Sequence, residues 1–160
     1  MVCAHYSESV VPAAKMNLTG TIPVELDMLD SLQSISLPYN NLQGQLPDRM
    51  SHLKSLLSVD VDQNILSGTP MDALHSPTST SASELAVLRL AYNSFEPWTI
   101  PSNIDVVLPN LQSLLLQGSS MTGSLPTTIG NLSLLRKCLK MSILLVVVVV
   151  LILVVPILYR

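Results

Sequence analysis

Residues 29–47 read LDSLQSISLPYNNLQGQLP, and this stretch decides the fold. Its apolar residues change their spacing along the chain, because Leu29, Leu32 and Ile35 are three apart whereas Leu37 follows Ile35 after two. An amphipathic helix keeps a step of three or four, and a half-buried strand alternates with a step of two. Neither element fits the whole stretch, so the change of step predicts a bend that leads into a short strand.

The second half of the stretch carries residues suited to turns. Asn40 lies three positions after Leu37, where its side-chain amide can bond the backbone of a neighbouring coil, that is, of the next turn of the chain. Without such a partner, inward-facing N–H and C=O groups would be left unsatisfied. Gly44 permits a tight bend, and Pro47 ends strand pairing.

The same template, L-x-x-L-x-x-L-x-L-x-x-N-x-L-x-G-x-L-P, recurs along the chain. Asn64 follows Asn40 by 24 residues, and Asn93 follows Asn64 by 29, which predicts an insertion of about five residues. In the next copy Ser119 takes the asparagine position, 26 residues after Asn93. The later ladder positions are Leu53, Leu56, Val59, Val61, Leu66, Leu85, Leu88, Leu90, Phe95, Leu111, Leu114, Leu116, Met121 and Leu125.

The template, its G-x-[I/L]-P ending and its 24-residue step resemble the plant-type leucine-rich repeats of receptor-like proteins and receptor kinases, over about residues 2–136. The resemblance implies an α/β-type leucine-rich repeat solenoid, a right-handed coil with short parallel strands on its concave face. It also implies a protein- or peptide-binding module, receptor-like and without a kinase. The alternative is a non-binding, truncated fragment or gene model of a larger leucine-rich repeat receptor.

The domain boundaries follow from where the template holds. Residues 1–15 are expected to be a remnant of an N-terminal cap, since Val2-Cys3 resembles the end of the family's cysteine-paired cap; a true start with a free thiol is the alternative. Residues 16–136 hold about four to five coils, with an insertion near 71–84. After Arg136 the next ladder positions are Cys138 and Lys140, and an unpaired lysine cannot enter a core.

The stretch Met141 to Tyr159, MSILLVVVVVLILVVPILY, contains no charged residue. As a helix rising about 1.5 Å per residue it would span roughly 28 Å, close to the ~30 Å hydrocarbon thickness of a bilayer. Valine favours strands in water, but in lipid a helix satisfies its own backbone. The stretch predicts one transmembrane helix, so we expect a single-pass membrane protein; an artefactual tail is the alternative.

The orientation in the membrane stays open. Arg136, Lys137 and Lys140 precede the apolar stretch and Arg160 follows it, which by the positive-inside rule keeps the repeats cytoplasmic. The family resemblance instead implies an extracellular repeat domain. The sequons at Asn17 and Asn131 are candidate glycosylation sites on that second reading, although sequons are also common by chance.

Composition and motifs exclude several classes of function. The net charge is −3, so no basic surface indicates nucleic acid. The three histidines lack partners at metal-ligand spacing, and no catalytic motif is present, so we expect no enzyme activity, no cofactor and no metal site. The two cysteines are too few for a disulfide scaffold. Binding therefore remains the function class that the sequence favours.

Residues between the ladder positions are expected to line the concave face. Tyrosine and arginine are frequent interface anchors, and Asp60 and Asp62, two apart on one strand, face the same side. They could form half a cation site, contact a basic partner or be merely solvated; all the face residues could equally be soluble fillers. Trp98 is expected on the outer side of its coil. The predicted ligand contacts are Tyr39, Asp60, Asp62, Arg89 and Tyr92.

Overall fold

Short parallel strands, one from each coil, form the main sheet of the computed structural model, which describes residues 9–74 and 83–139. Within those residues the sheet has six strands in the order β1-β3-β5-β7-β8-β9, and every neighbouring pair is parallel. This row of parallel strands is that of a repeat solenoid, as predicted. The six strands are Val10–Pro12 (β1), Ser34–Ser36 (β3), Ser58–Asp60 (β5), Val87–Arg89 (β7), Ser113–Leu115 (β8) and Lys137–Leu139 (β9).

The register of the sheet places equivalent template positions side by side. Ile35 lies opposite Val59, Val59 opposite Leu88, and Leu88 opposite Leu114, although the sequence steps between them differ. The insertion before the third copy is therefore absorbed outside the sheet. Leu88 is 0% exposed. Burying one such apolar side chain stabilises the fold by about 1.5–3 kcal/mol.

The other side of each coil carries a second, smaller sheet and short helices. Three parallel strands have the order β2-β4-β6, and the helices pack mainly against the helices of neighbouring coils. The strands are Thr19–Thr21 (β2), Asn41–Gly44 (β4) and Ile65–Leu66 (β6); the α-helices are Pro70–Leu74 (α1) and Ile104–Val107 (α2); the 3-10 helices are Val24–Met28, Met50–His52 and Thr127–Asn131.

Buried asparagines link successive coils, as the sequence predicts. The Asn64 amide nitrogen donates to the Leu37 carbonyl oxygen at 3.0 Å and to the Val61 carbonyl oxygen at 3.1 Å. Asn40 and Asn93 make the equivalent bonds one coil earlier and one coil later. Each of these side chains therefore satisfies backbone groups of its own coil and of the preceding coil.

The ladder changes at Ser119, which is 1% exposed. Its hydroxyl donates to the Leu116 carbonyl oxygen at 2.8 Å, the bond within the coil that asparagine makes elsewhere. The bond to the preceding coil is made instead by Trp98, whose indole N–H donates to the Ser119 carbonyl oxygen at 2.7 Å. Trp98 is buried in the core cluster, and its backbone forms an isolated parallel bridge with Met121, outside the main sheet. Its packing on the outer side of the coil stays a prediction.

One ladder leucine departs from the template. Leu29 is 42% exposed, whereas the equivalent Leu53, Leu108 and Leu132 are buried. Leu29 follows the first helix among the described residues, so no earlier described helix covers that side of it. Leu29 therefore stays partly outside the core although it is the residue type of the template.

The row of strands extends beyond the predicted repeat boundaries. Strand β1 begins at Val10, within the stretch predicted to be a cap remnant, and β9 ends at Leu139, beyond Arg136. Cys138 takes the ladder position opposite Leu114 and packs against the core. The small thiol fits where the sequence analysis expected the template to fail.

Within the described residues the structure contains no helix that is long and apolar enough to cross a bilayer. The predicted transmembrane helix at Met141 to Tyr159 lies outside the described residues.

Candidate functional site

The solvent-facing side of the six-stranded sheet is called the strand face here. It consists of the outward side chains of the six strands and of the residues directly after each strand. At one register it presents Pro12, Ser36, Asp60, Arg89 and Leu115 across five successive strands. The charged residues therefore lie in the middle of the face, with small or apolar neighbours on both sides.

An ion pair joins the two central strands of the strand face. One terminal nitrogen of Arg89, Nη1, lies 3.2 Å from Oδ2 of Asp60, and the Asp60 side chain is only 15% exposed. The pairing follows from the register, which puts these two residues directly opposite each other. Arg89 thus balances the charge of Asp60.

The Asp62 carboxylate accepts a hydrogen bond from the next coil. Its Oδ1 atom accepts a hydrogen bond from the backbone N–H of Ala91 at 2.7 Å. Its own N–H donates to Oδ1 of Asp60 at 3.3 Å. Burial raises the pKa of Asp62 above its ordinary value of 3.8, and the nearby Asp60 carboxylate adds to that rise, whereas the Ala91 N–H and Arg89 oppose it. The cluster of Asp60, Asp62 and Arg89 carries two negative charges and one positive charge when all three groups are ionised.

The two tyrosines of the predicted contact set do not lie in strands. Tyr39 and Tyr92 each come three residues after a strand has ended, in a left-handed backbone conformation with φ of 60° and 53°. They are 47% and 53% exposed. Their backbone N–H groups donate to the next coil, Tyr39 to the Asp62 carbonyl oxygen at 2.9 Å and Tyr92 to the Gln117 carbonyl oxygen at 2.6 Å. The rings therefore stand at the turn that borders the strand face.

The same left-handed turn position recurs in successive coils and forms a row along this border, which we call the turn row. Tyr39 and Tyr92 belong to it, and the position between them is Gln63. Sequence reasoning missed the other members, although each one directly precedes an asparagine position or its equivalent. The turn row consists of Lys15, Tyr39, Gln63, Tyr92 and Gly118, with φ between 53° and 60°.

Both tyrosine rings have a neighbour at the outer side of the pair. The Lys15 amine lies 4.8 Å from the centre of the Tyr39 ring, within the range of a cation–π interaction. At the other end, a Cβ added to Gly118 would lie 3.0 Å from Cδ1 of Tyr92, so the ring packs against the glycine backbone. A side chain at residue 118 would therefore have to displace the Tyr92 ring by a few tenths of an ångström.

Three buried polar atoms on this side of the sheet have no hydrogen-bond partner among the described residues. They are Nε of Arg89, Oγ of Ser113 and Oε1 of Gln117. All three residues surround Leu115, which lies opposite Arg89 in the sheet. The three buried atoms are a donor, a hydroxyl and an acceptor.

The structure brings together the five predicted contact residues. Asp60 pairs with Arg89, and Asp62 hydrogen-bonds the residue that precedes Tyr92 while its carbonyl oxygen accepts from Tyr39. Within the described ranges no cluster of three or more His, Cys, Asp or Glu side chains is arranged to hold a metal ion.

The two sequon asparagines are both exposed and lie far from this cluster in sequence. Asn17 has a left-handed backbone with φ of 51°. Asn131 donates through its side-chain nitrogen to Oδ2 of Asp105 at 2.7 Å.

The chain is similar in sequence to a known repeat family. The Leucine Rich Repeat family matches residues 31–53 and 110–132. No curated protein matches the chain.

Solved structures similar to this chain are ectodomains of plant receptors. The plant peptide hormone receptor RGFR1 in complex with RGF2 is 30% identical, with a TM-score of 0.62 over 75% of this chain and 18% of that one. The ectodomain of the receptor kinase SOBIR1 from Arabidopsis thaliana is 25% identical, with a TM-score of 0.65 over 82% of this chain and 67% of that one.

A third structure is the Arabidopsis receptor kinase HAESA in complex with the peptide hormone IDA and the co-receptor SERK1. It is 28% identical, with a TM-score of 0.66 over 86% of this chain and 23% of that one. The chain thus spans about a fifth of two of these receptors and two thirds of the other.

Proposed function

We propose that this chain, whose repeats are leucine-rich repeats of the plant receptor type, binds a protein or peptide ligand on its strand face. The observation that carries the proposal is the concentration of interface-type residues at the centre of that face and in the turn that borders it. Tyr39, Asp60, Asp62, Arg89 and Tyr92 are the proposed contacts. Exposed tyrosines and a partly exposed arginine are the side chains that most often anchor interfaces.

The polarity of the face fits an extended peptide. The partly exposed Arg89 side chain offers N–H donors, and the Asp60 and Asp62 carboxylates offer acceptors. An extended peptide backbone presents N–H and C=O groups in alternation, so it can pair with both kinds of group.

Two of the similar structures support a peptide as the ligand class. RGFR1 is in complex with RGF2, and HAESA is in complex with the peptide hormone IDA and the co-receptor SERK1. A co-receptor is therefore a second kind of protein partner consistent with the proposal. The proposal assigns no kinase activity to this chain.

Peptide selection on the purified full chain tests the proposal. A phage-displayed library of random peptides is selected on the chain in detergent, and the enriched clones are then assayed on two variants. Ser36→Arg places a large charged side chain on the strand face beside Asp60, whereas Ser102→Arg makes the same change at an exposed site next to α2.

We expect clones that lose binding to Ser36→Arg and keep binding to Ser102→Arg. A selection that yields no specific clone, or clones equally insensitive to both changes, would reject the strand face as the binding surface. Urea unfolding of both variants checks that neither change disrupts the fold.

Anchoring to a membrane through Met141 to Tyr159 is a second part of the proposal. It rests on the uncharged sequence of that stretch and its length relative to a bilayer. The full chain is expected to stay with membranes during alkaline carbonate extraction, and a variant that ends at Leu139 is expected to be released. Release of the full chain would reject anchoring. Protease protection of tagged protein shows on which side of the membrane the repeats lie.

The sequons at Asn17 and Asn131 are proposed glycosylation sites on the reading in which the repeats lie outside the cell. Exposure of both side chains supports attachment. Each of the changes Asn17→Gln and Asn131→Gln is expected to remove one glycan's mass from protein made in plant cells. An unchanged mass in both variants would reject the two sites.

A further inference from the structure

We infer that the fold makes the two sequons unequal, because Asn17 is open to glycan transfer whereas Asp105 engages the side-chain nitrogen of Asn131 and limits transfer there. The inference rests on the proposed glycosylation and refines it, since it specifies which of the two sites is modified in more molecules. Two features of the structure support it, namely the hydrogen bond of the Asn131 side chain and the way each sequon is packed against the core.

Glycan transfer uses the side-chain nitrogen of asparagine, Nδ2, as the nucleophile. A bond forms between Nδ2 and the anomeric carbon of an oligosaccharide linked to a lipid diphosphate. The bond from that carbon to the diphosphate breaks, the lipid diphosphate leaves with the electron pair of that bond, and Nδ2 loses one proton. The nitrogen must therefore be free to react at the protein surface, where a bulky glycan has room.

The nitrogen of Asn131 is already bound by a neighbouring coil. It donates to Oδ2 of Asp105 at 2.7 Å, and hydrogen bonds to an ionised carboxylate are stronger than those between neutral groups. Asn131 is the last residue of the 3-10 helix Thr127–Asn131, and Asp105 lies in the first turn of α2, which packs against that helix. This bond must break before Nδ2 of Asn131 can react.

The backbone of the Asn131 sequon is also held against the core. Leu132, the middle residue of the sequon, is 2% exposed. Its N–H donates to the Ile129 carbonyl oxygen at 3.3 Å, and its carbonyl oxygen accepts from the Leu135 N–H at 3.0 Å. Drawing this sequon out of the folded chain would therefore break backbone bonds and expose a core leucine to water.

Asn17 differs in both respects. It is exposed, and its side chain makes no hydrogen bond to any residue within 9–74 and 83–139. Leu18, the middle residue of its sequon, is only partly buried, and Thr19, which supplies the hydroxyl, is exposed at the start of β2. The asparagine and the threonine of this sequon thus both lie on the surface of the folded chain.

Site occupancy in the full chain made in plant cells tests the inference. Glycans are removed enzymatically in heavy-oxygen water, which marks each formerly glycosylated asparagine as a labelled aspartate. Mass spectrometry of the peptides then gives the occupied fraction at each sequon. All variants carry Thr19→Ser, so that both sequons read Asn-Leu-Ser and differ only in their surroundings.

Two variants separate the Asn131 bond from a general loosening of the coils. Asp105→Ala removes the acceptor of the Asn131 nitrogen. Thr128→Ala is the matched control, because it removes a different bond between the same two coils, from the Thr128 hydroxyl to the Ser102 carbonyl oxygen at 2.7 Å. Urea unfolding of both variants, made without glycans in bacteria, checks that they are folded.

We expect Asn17 to be occupied at least about fivefold more often than Asn131 in the Thr19→Ser chain, a ratio in the range that one hydrogen bond produces. Asp105→Ala is expected to raise the occupancy of Asn131 at least about threefold, and Thr128→Ala is expected to leave it unchanged. Equal occupancy of the two sequons, or an equal rise in both variants, would overturn the inference and leave the proposed glycosylation standing. Absence of glycan from both sequons in every variant would reject the proposed glycosylation, and the inference with it.

Discussion

The side-chain oxygen of Asn64 accepts a hydrogen bond from the backbone N–H of Leu42 in the preceding coil, at 3.1 Å. Asn93 and Leu66 make the same bond one coil later, also at 3.1 Å. Coils are thus joined by buried side-chain bonds as well as by the sheet. Because the bond partners are backbone groups, the joint depends on the asparagine alone and not on the sequence of the neighbouring coil.

The first prediction concerns this joint. Asn64→Ala leaves the Leu42 N–H unsatisfied in the core, whereas the Leu37 carbonyl oxygen keeps its bond from Asn40. We expect it to lower the free energy of unfolding by about 2–3 kcal/mol, since an unsatisfied buried group costs about 1–3 kcal/mol and the bonds that are lost add to that. Urea unfolding followed by circular dichroism measures the change.

Two further variants provide the comparison for Asn64→Ala. Ser119→Ala removes one hydroxyl donor and is expected to cost only about 1 kcal/mol. Asn41→Ala alters an exposed asparagine next to Leu42, and we expect the free energy of unfolding to stay within about 0.5 kcal/mol of the wild type. Equal losses in Asn64→Ala and Asn41→Ala would contradict the ladder account.

The second prediction concerns the contact between Gly68 and Gln45. A Cβ at Gly68 would lie 2.6 Å from Cγ of Gln45, and the backbone there has φ of 71°. Gly68→Ala is therefore expected to be destabilising by about 1–3 kcal/mol through backbone strain and overpacking. In a Gln45→Ala background the overpacking part disappears, and the loss is expected to fall by about 1 kcal/mol. Identical losses in the two backgrounds would show that strain alone acts.

The third prediction concerns the pH dependence that Asp62 imposes. Because its pKa is higher in the folded chain than the ordinary value of 3.8, the folded state binds that proton more tightly than the unfolded state does. The wild-type chain therefore gains stability relative to Asp62→Asn as the pH falls through the folded-state pKa toward 3.8. At neutral pH this contribution is absent.

Urea unfolding of both proteins between about pH 7 and pH 4 checks this sign. The free energy of unfolding of Asp62→Asn minus that of the wild type is expected to decrease as the pH is lowered. A difference that increases on acidification would mean that the Ala91 N–H and Arg89 outweigh burial and that the pKa of Asp62 is lowered.

The fourth prediction concerns the leucine core. Leu88 is 0% exposed and pairs with Val59 and Leu114 in the sheet. Leu88→Ala is expected to cost about 2–5 kcal/mol, because the rigid neighbours on both sides cannot close the cavity. Leu57→Ala is the control, since Leu57 is 43% exposed and its truncation is expected to cost less than about 1 kcal/mol. Thermal or urea unfolding of the two variants distinguishes these values.

Much of the fold is predictable from local spacing. The strands, the asparagine joints and the substitution of Ser119 for asparagine all follow from template positions, because equivalent residues of successive coils must meet when coils stack. The same logic correctly placed Asp60 and Arg89 on one face. It failed for Tyr39 and Tyr92, which lie in the turn after the strand, since residue spacing does not reveal where φ becomes positive.

The departures from the template have physical causes that spacing does not reveal. Leu29 has the right residue type but lacks a covering helix among the described residues. Trp98 is buried, and the carbonyl oxygen of Ser119 satisfies its indole N–H. Cys138 continues the ladder because its small side chain fits opposite Leu114.

The sequence by itself determined that leucines and asparagines recur at a step near 24 residues, and hence that parallel strands stack around a shared apolar core. Only the tertiary structure decided which polar groups of the strand face are satisfied. The Asp60–Arg89 ion pair and the Asp62–Ala91 hydrogen bond each join residues 29 positions apart. Burial is set by what the neighbouring coils place around a residue, and distance along the chain carries no information about that.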